Sequence, residues 1–238
     1  MPQVSVTLSA NAGVCVAADG HRIWVDALHE QKRPSFSTLT PGLQKEMLKN
    51  PAFFHPEHIC FTHCHGDHYS RRLTAAAKTI WPGAKLYLPE PEFADQFLVS
   101  GEQYRHEENG LVLRFIRLPH EGAEYADVKH YGLIVSAGDC NILLAGDCAV
   151  ASPKLAQALE GLRVDLAILD FPWATLGKGR TFLTRTLRAK HILLCHLPFP
   201  EDDTCGYRDS AKREADALAG LMDIRLLWEP LQTEEINI

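Results

Sequence analysis

Residues 61–70 read FTHCHGDHYS, and His63, His65, Asp67 and His68 fall within six consecutive positions of that stretch. With 12 histidines and 14 aspartates in 238 residues, composition alone produces His-x-His-x-Asp-His in roughly one such chain in five hundred. The residues just before it, HICFT, form a short apolar run of β type. In extended backbone residues i and i+2 face the same way, so His63 and His65 can grip one cation while Cys64 points away. Gly66 then allows a sharp turn without a Cβ penalty. Asp67 and His68 follow at the start of the next predicted helix, aimed at a second position close by. The mixture of imidazole and carboxylate suits Zn²⁺, Mn²⁺ or Fe²⁺ better than Ca²⁺ or Mg²⁺, which prefer all-oxygen shells.

Four donors so close in sequence undersupply two ions, so the remaining donors must come from elsewhere on a rigid scaffold. The chain provides many short strands. VSVTLSA, GVCVAA and RIWVDAL open it, with Asp19-Gly20 predicting a tight hairpin. Thr40-Pro41 starts a helix running to about Lys49, and RRLTAAAKTI forms another, stopped near Trp81-Pro82-Gly83. AKLYL, LVLRFIRL, YGLIVSA, NILLAGD, VDLAILDF, HILLC and DIRLLW read as strands, and the Gly138-Asp139 pair joins the third of these to the fourth. Ser152-Pro153 caps a helix through Leu159, and TFLTRTLRA and SAKREADALAGLM are helical. Residues 89–110 are polar and read as a short helix and a surface loop. Strands lead each half and helices follow, which predicts layered α/β packing. At 238 residues, 46% hydrophobic, the chain can bury one sizeable core, and 1–238 reads as a single domain.

Three donors stand where apolar strands run out into turns: His120 after LVLRFIRLP, Asp147 after NILLAG and His196 after HILLC. His130 competes with His120, but it opens a strand rather than closing one. His191 begins its strand and points to the wrong end. Cys64, Cys148 and Cys195 each neighbour a proposed donor and read as packing, with Cys148 the one a bend in the backbone could bring to a metal.

In this order the motifs resemble the metallo-β-lactamase superfamily over nearly the whole chain: Trp24-Val25-Asp26 ending an early strand, Thr-His-x-His-x-Asp-His at 62–68, His120, Gly146-Asp147, and His196 after a late strand. The resemblance implies a four-layer αββα sandwich with metals at one edge of the two sheets. It assigns His63, His65 and His120 to one metal and Asp67, His68 and His196 to the other. Asp147 would bridge them, and Asp26 would orient the site without binding a metal. It also implies a metal-dependent hydrolase with two divalent cations, Zn²⁺ foremost and Mn²⁺ or Fe²⁺ as alternatives. Such a pair shares a water and makes hydroxide available at neutral pH, and Asp67 and Asp147 would be its catalytic carboxylates. No Gly-x-Ser-x-Gly elbow suggests a serine nucleophile instead.

The spacing of Asp147 and His196 leaves no room for the inserted domain of the family's RNA-processing nucleases. The 42 residues after His196 are too few for the helical domain of glyoxalase II-like thioesterases. What remains is similar to the compact branch of ascorbate-6-phosphate lactonase and small phosphodiesterases, with Gly-Asp-Cys where that branch has Gly-Asp-Thr. A lactone or phosphodiester is the expected bond. The alternative is an oxidoreductase resembling the persulfide dioxygenases of the same fold, with a single iron held by two His and an Asp.

The net charge of −6 with scattered Lys and Arg argues against extended nucleic acid and anionic membranes as partners, and leaves a small-molecule substrate. A homo-oligomer is compatible with the composition. The opening segment lacks a basic stretch followed by an apolar one, and no apolar run nears the ~20 residues of a membrane span. Together with seven cysteines in mostly apolar surroundings, this predicts reduced thiols and a cytoplasmic location. Phe171-Pro172-Trp173 and Pro198-Phe199-Pro200 are candidate walls of an apolar cleft. Lys178, Arg180, Tyr207 and Arg208 are candidate contacts for an anionic group, and Arg71 and Arg72 are expected to face solvent.

Overall fold

A computed structural model describes residues 3–238. The strands are β1 (Gln3–Ala10), β2 (Gly13–Ala18), β3 (His21–Val25), β4 (His58–Cys60), β5 (Lys85–Leu88), β6 (Phe97–Leu98), β7 (Gln103–Glu108), β8 (Leu111–Arg117), β9 (Tyr131–Ala137), β10 (Cys140–Leu144), β11 (Leu166–Asp170), β12 (His191–Cys195), β13 (Asp223–Leu226) and β14 (Thr233–Asn237). They form two seven-stranded sheets, ordered β14-β1-β2-β3-β4-β5-β6 and β13-β12-β11-β10-β9-β8-β7.

The two sheets pack face to face. Val6, Leu8, Ile23 and Ile59 of the first share one apolar core with Phe115, Leu133, Leu166 and Leu193 of the second. Helices α1 (Pro41–Met47) and α2 (Arg71–Ile80) close the outer face of the first sheet through Met47, Leu73 and Ala77. Helices α3 (Pro153–Ala158), α4 (Pro172–Thr175), α5 (Gly177–Phe182) and α6 (Tyr207–Leu218) close the second through Leu155, Trp173, Phe182 and Leu218. The result is the αββα sandwich that the sequence implies. Strands covered on both faces are apolar throughout: in β11, Leu166 and Ile168 point into the inter-sheet core while Ala167 and Leu169 meet the helices.

The predicted hairpins form at Asp19-Gly20 (φ 48° and 83°) and after Ala137. Two local readings need correction, and a third differs in one detail. Residues 89–110 hold no α-helix; they contribute β6 and β7, the edge strands of the two sheets. In QYRHEE Tyr104 and His106 turn half-buried toward Tyr87, Phe97 and Phe115 while Gln103, Arg105 and Glu107 face water, and charged side chains on an edge strand discourage pairing with other chains. Ser152 stands at the N-cap of α3 with Pro153 first in the helix and Leu159 at its end, as expected; what differs is its hydroxyl, which makes no capping bond, unlike Thr40, which accepts from Leu43 N–H at 3.3 Å. The stretch TFLTRTLRA is not one α-helix: α5 ends at Phe182 and a π-helical turn, Leu183–Leu187, follows, closed by Arg188 at φ 50°.

Candidate metal centre

Several strands run out at one edge of the sandwich, where the backbone leaves them through left-handed residues. Asn11 after β1, Asp26 after β3, Gly146 after β10 and His196 after β12 have φ of 54°, 52°, 54° and 58°. Glycine, Asn and Asp take this conformation at little cost, whereas a histidine must be held in it by its surroundings. His196 is so held: its N–H donates to Asn11 O at 3.0 Å and its ring packs edge-on against Phe36.

The central motif differs locally from its expected form. β4 stops at Cys60, so His63 and His65 lie on an extended loop, and Asp67 and His68 lie in a turn before α2 rather than on it. Ser70 sets the helix start, since its hydroxyl accepts from Leu73 N–H at 3.2 Å. Gly66 is required for room rather than for a left-handed turn: a Cβ there would sit 2.7 Å from Gln31 Cβ.

These loops bring two donor clusters together. His63 Nε2 lies 3.1 Å from His65 Nδ1, and Asp147 Oδ2 lies 3.9 Å from His63 Nε2 and 3.5 Å from His120 Nε2. His68 Nε2 lies 3.2 Å from His196 Nε2, and Asp147 Oδ1 is 3.0 Å and 3.7 Å from these two nitrogens. Asp67 joins His68 and His196, with one donor atom of each within 4.8 Å of the others. Asp147 thus turns one oxygen to each cluster. All seven donors expected from the sequence are assembled in one place.

The opposite ring nitrogens are committed elsewhere. His68 Nδ1–H donates to Asp26 Oδ2 at 3.0 Å and His120 Nδ1–H to Glu121 O at 2.6 Å. His63 Nδ1–H donates to Thr62 Oγ1 at 3.0 Å, and the Thr62 hydroxyl donates to Asp26 Oδ2 at 2.6 Å. Each bond leaves an Nε2 lone pair facing the cluster. Asp26, buried and also accepting from Thr62 N–H at 2.8 Å, therefore sets one ring in each cluster.

The donor set fits two divalent ions. His120 Nε2 and Asp147 Oδ1 are buried without a hydrogen-bond partner. Nitrogen lone pairs that face one another at 3.1 and 3.2 Å repel unless a cation or proton lies between them. Mixed imidazole and carboxylate donors suit Zn²⁺, Mn²⁺ or Fe²⁺. Burial, followed by the neighbouring His68, holds His63 well below the usual imidazole range; burial and then His120 lower His65. Both rings are thereby kept neutral, as ligands must be. Before metal binds, His68 is drawn the other way: burial opposes its charge, but Asp147 and Asp26 outweigh burial and raise it well above the usual imidazole range. Against burial, its charge in turn holds the Asp147 carboxyl well below the ordinary range.

The neighbouring histidines and cysteines stand outside both clusters. His130 is buried beside the site, 5.3 Å from the His63 ring and 5.6 Å from that of His120, yet it belongs to neither cluster. Burial pushes the Cys148 thiol up to about 12, and its Sγ points to Ala149 O. His191 pairs with Asp223 at 2.6 Å, at the opposite end of its strand. All seven cysteines are free.

A cleft of about 490 Å³ opens onto the clusters. Phe171, Pro172 and Tyr207 line it as foreseen, together with Phe36, Tyr125 and Arg33, which were not. Arg33 sits at the mouth with Nε 3.6 Å from Asp67 Oδ1. Trp173 and Phe199 are buried in the cores instead. Arg180 donates to Ala174 O and Thr175 O, and Arg208 to Pro198 O and Trp228 O, so both serve the fold. Lys178 reaches Glu121 at the rim (3.5 Å). Arg71 and Arg72 face solvent, paired with Glu92 and Glu30.

The loop of residues 29–37 carries Arg33 and Phe36 and is fastened from both sides. Gln31 N–H donates to Gly66 O at 3.1 Å; Ser37 Oγ donates to Asp202 Oδ2 at 2.8 Å and accepts from Phe199 N–H at 2.7 Å. Asp170, at the end of β11, is a further carboxylate in the cleft: one of its oxygens and one atom each of Asp147 and His196 lie within 4.8 Å of one another.

No protein-family model matches the chain, and no curated protein does. Solved structures do. A novel metallo hydrolase from the hyperthermophilic archaeon Ignicoccus hospitalis superposes with a TM-score of 0.70 at 19% identity, covering 99% of both chains. The metallo-β-lactamase fold protein YhfI from Bacillus subtilis superposes at 0.67 and 12% identity, covering 99% of this chain and 100% of its own. The chain has the metallo-β-lactamase fold. That fold also occurs in CmlA, a diiron β-hydroxylase from Streptomyces venezuelae, at 0.64 and 13% identity over 99% of this chain and 54% of CmlA. In this metallo-β-lactamase fold both clusters lie where the two sheets meet at one edge, under the cleft.

Proposed function

We propose that the protein is a metal-dependent hydrolase that takes two divalent cations and cleaves an ester-type bond, a lactone or phosphodiester, in a small substrate. The observation that carries this reading is the position of Asp147, which divides its two carboxylate oxygens between two histidine clusters. When bound, the ions supply an activated water and polarise the electrophile.

The chain's own residues do the rest. Asp26 and Thr62 orient rings of both clusters before substrate arrives, so little reorganisation is left for the reaction itself. Asp147 keeps its two oxygens turned to the two clusters, Asp67 is the carboxylate at the cleft that would take up a proton during the reaction, and Arg33 Nε, 3.6 Å from Asp67 Oδ1, steadies its charge. Phe36, Tyr125, Phe171 and Tyr207 wall the cleft and displace water from around the substrate. Zn²⁺ suits the three-imidazole cluster best, and the seven free thiols suit a reducing compartment such as the cytoplasm. A mononuclear iron oxidoreductase would leave the cluster of Asp67, His68 and His196 unused.

The test is a screen of the metal-loaded protein, with Zn²⁺ or Mn²⁺, against nitrophenyl phosphodiesters, lactones, thioesters and a β-lactam, with and without oxygen. The expected result is oxygen-independent turnover, abolished by His65→Ala and cut steeply by Asp147→Asn. Turnover that consumes oxygen, or that survives His65→Ala, contradicts the proposal.

A further inference from the structure

Three neighbouring parallel strands deliver polar residues to the same edge of the second sheet. Asp147 follows β10, Asp170 closes β11 and His196 follows β12. β11 lies between the other two, in parallel register with both, and Asp170 stands opposite Cys195, the residue before His196. In open parallel sheets this carboxyl-end edge is where ligands bind. The topology therefore places Asp170 between two residues already counted as metal donors.

The rest of β11, Leu166 to Leu169, is apolar and buried on both faces, so a carboxylate at its end is not there for packing. Asp170 faces the cleft, and no lysine or arginine pairs with it among the described residues. Its carboxylate and those donors of Asp147 and His196 lie within 4.8 Å of one another. Two carboxylates held this close repel unless a proton or a cation lies between them. A proton answers one oxygen pair; a divalent ion answers both carboxylates and the imidazole at once.

We infer that Asp170 is an additional ligand of the second metal position, alongside Asp67, His68, His196 and the shared Asp147. The inference rests on the two-metal reading above. It makes the two positions chemically unlike: three imidazoles and one carboxylate in the first, two imidazoles and three carboxylates in the second. Oxygen-rich shells favour Mn²⁺ and Fe²⁺ relative to nitrogen-rich ones. The second position is then the one that takes the harder ion, and a zinc–manganese or zinc–iron pair is the natural filling.

The experiment is a titration of the metal-free protein with Zn²⁺ and separately with Mn²⁺, in competition with a chromophoric chelator. It compares wild type, Asp170→Asn and Asp170→Ser, with the Co²⁺ absorption spectrum as a second readout. Wild type should bind two ions. Both variants should bind the first as wild type does and the second at least tenfold more weakly (about the effect of losing a supporting group at a metal site), more so for Mn²⁺ than for Zn²⁺. The visible bands of the second Co²⁺ should shift while those of the first stay put. Asparagine can donate to Asp147 as a shared proton would, so unchanged binding in Asp170→Asn overturns the inference and assigns the contact to a proton. Equal weakening of both ions overturns it as well, making Asp170 a packing residue. A wild type that binds only one ion overturns the two-metal reading itself, and this inference with it. Thermal melts of the metal-free variants show whether each is folded, and Asp170→Ser decides if the asparagine variant is not.

Discussion

Asp26→Asn tests how one buried carboxylate organises both clusters. Asp26 is 2% exposed and accepts three hydrogen bonds, from Thr62 N–H (2.8 Å), Thr62 Oγ1–H (2.6 Å) and His68 Nδ1–H (3.0 Å). Asparagine is the informative replacement because residue 26 has φ 52°, which Asn tolerates and most residues do not. The amide keeps one acceptor oxygen for Thr62 N–H, but its NH₂ must face the donors on the other side. His68 Nδ1–H then loses its acceptor, and the Thr62 hydroxyl must turn round to accept from the amide. One buried donor left unpaired costs about 1–3 kcal/mol. If His68 changes tautomer, its Nε2–H points at Asp147 Oδ1 and closes the second cluster to metal. A weakening of about 10–100-fold for the second ion is expected, with a smaller loss at the first, reached only through Thr62 and His63. Chelator competition at neutral pH reads both affinities, and a melt of the metal-free protein reads the stability. Two ions bound as tightly as in wild type would refute the argument that Asp26 sets the rings.

Further consequences concern packing, substrate and acid. Gly66→Ala should push Gln31 and its loop off the motif, costing about 1–3 kcal/mol and opening a protease site within residues 30–37, read by limited proteolysis. Phe36→Ala removes a cleft wall that also packs on His196 and Tyr207; KM for aromatic esters should rise several-fold, with a smaller change for short aliphatic ones. Burial pushes His29 and His58 down to about 4 and His130 to about 3, against 6.5 for a free imidazole. Their folded-state values are depressed, so their stabilising neutrality is complete above pH 6.5 and is lost as pH falls toward 4. Each adds about 1.4 kcal/mol of destabilisation per pH unit across that window. Denaturant melts of the metal-free protein between pH 7 and 4.5 should show a steep loss that His130→Phe makes shallower; parallel profiles would exclude His130 from the effect.

The strand-end rule made most of the site legible. His120, Asp147 and His196 close apolar runs that sequence alone identifies, and the fold gathers them where the order of motifs implies. Asp170 obeys the same rule at the end of LAILD, but Phe171 continues the apolar run and hides the strand's end. Arg33 and Phe36 carry no local signal. They lie in a stretch without helix or strand, and what fixes them, Asp202 and Phe199, is more than 160 residues away in sequence. The edge strand β7 escaped for a different reason: its alternation serves solvent on one side, and QYRHEE has no apolar periodicity to read.

The two-metal account meets its most direct test in a titration of the metal-free protein with Zn²⁺ or Mn²⁺ while hydrolysis of a nitrophenyl phosphodiester or ester is followed. The account predicts a rate that climbs to a break at two equivalents of metal per chain and is absent in His65→Ala. A rate complete at one equivalent, or activity appearing only with iron and oxygen, would contradict it.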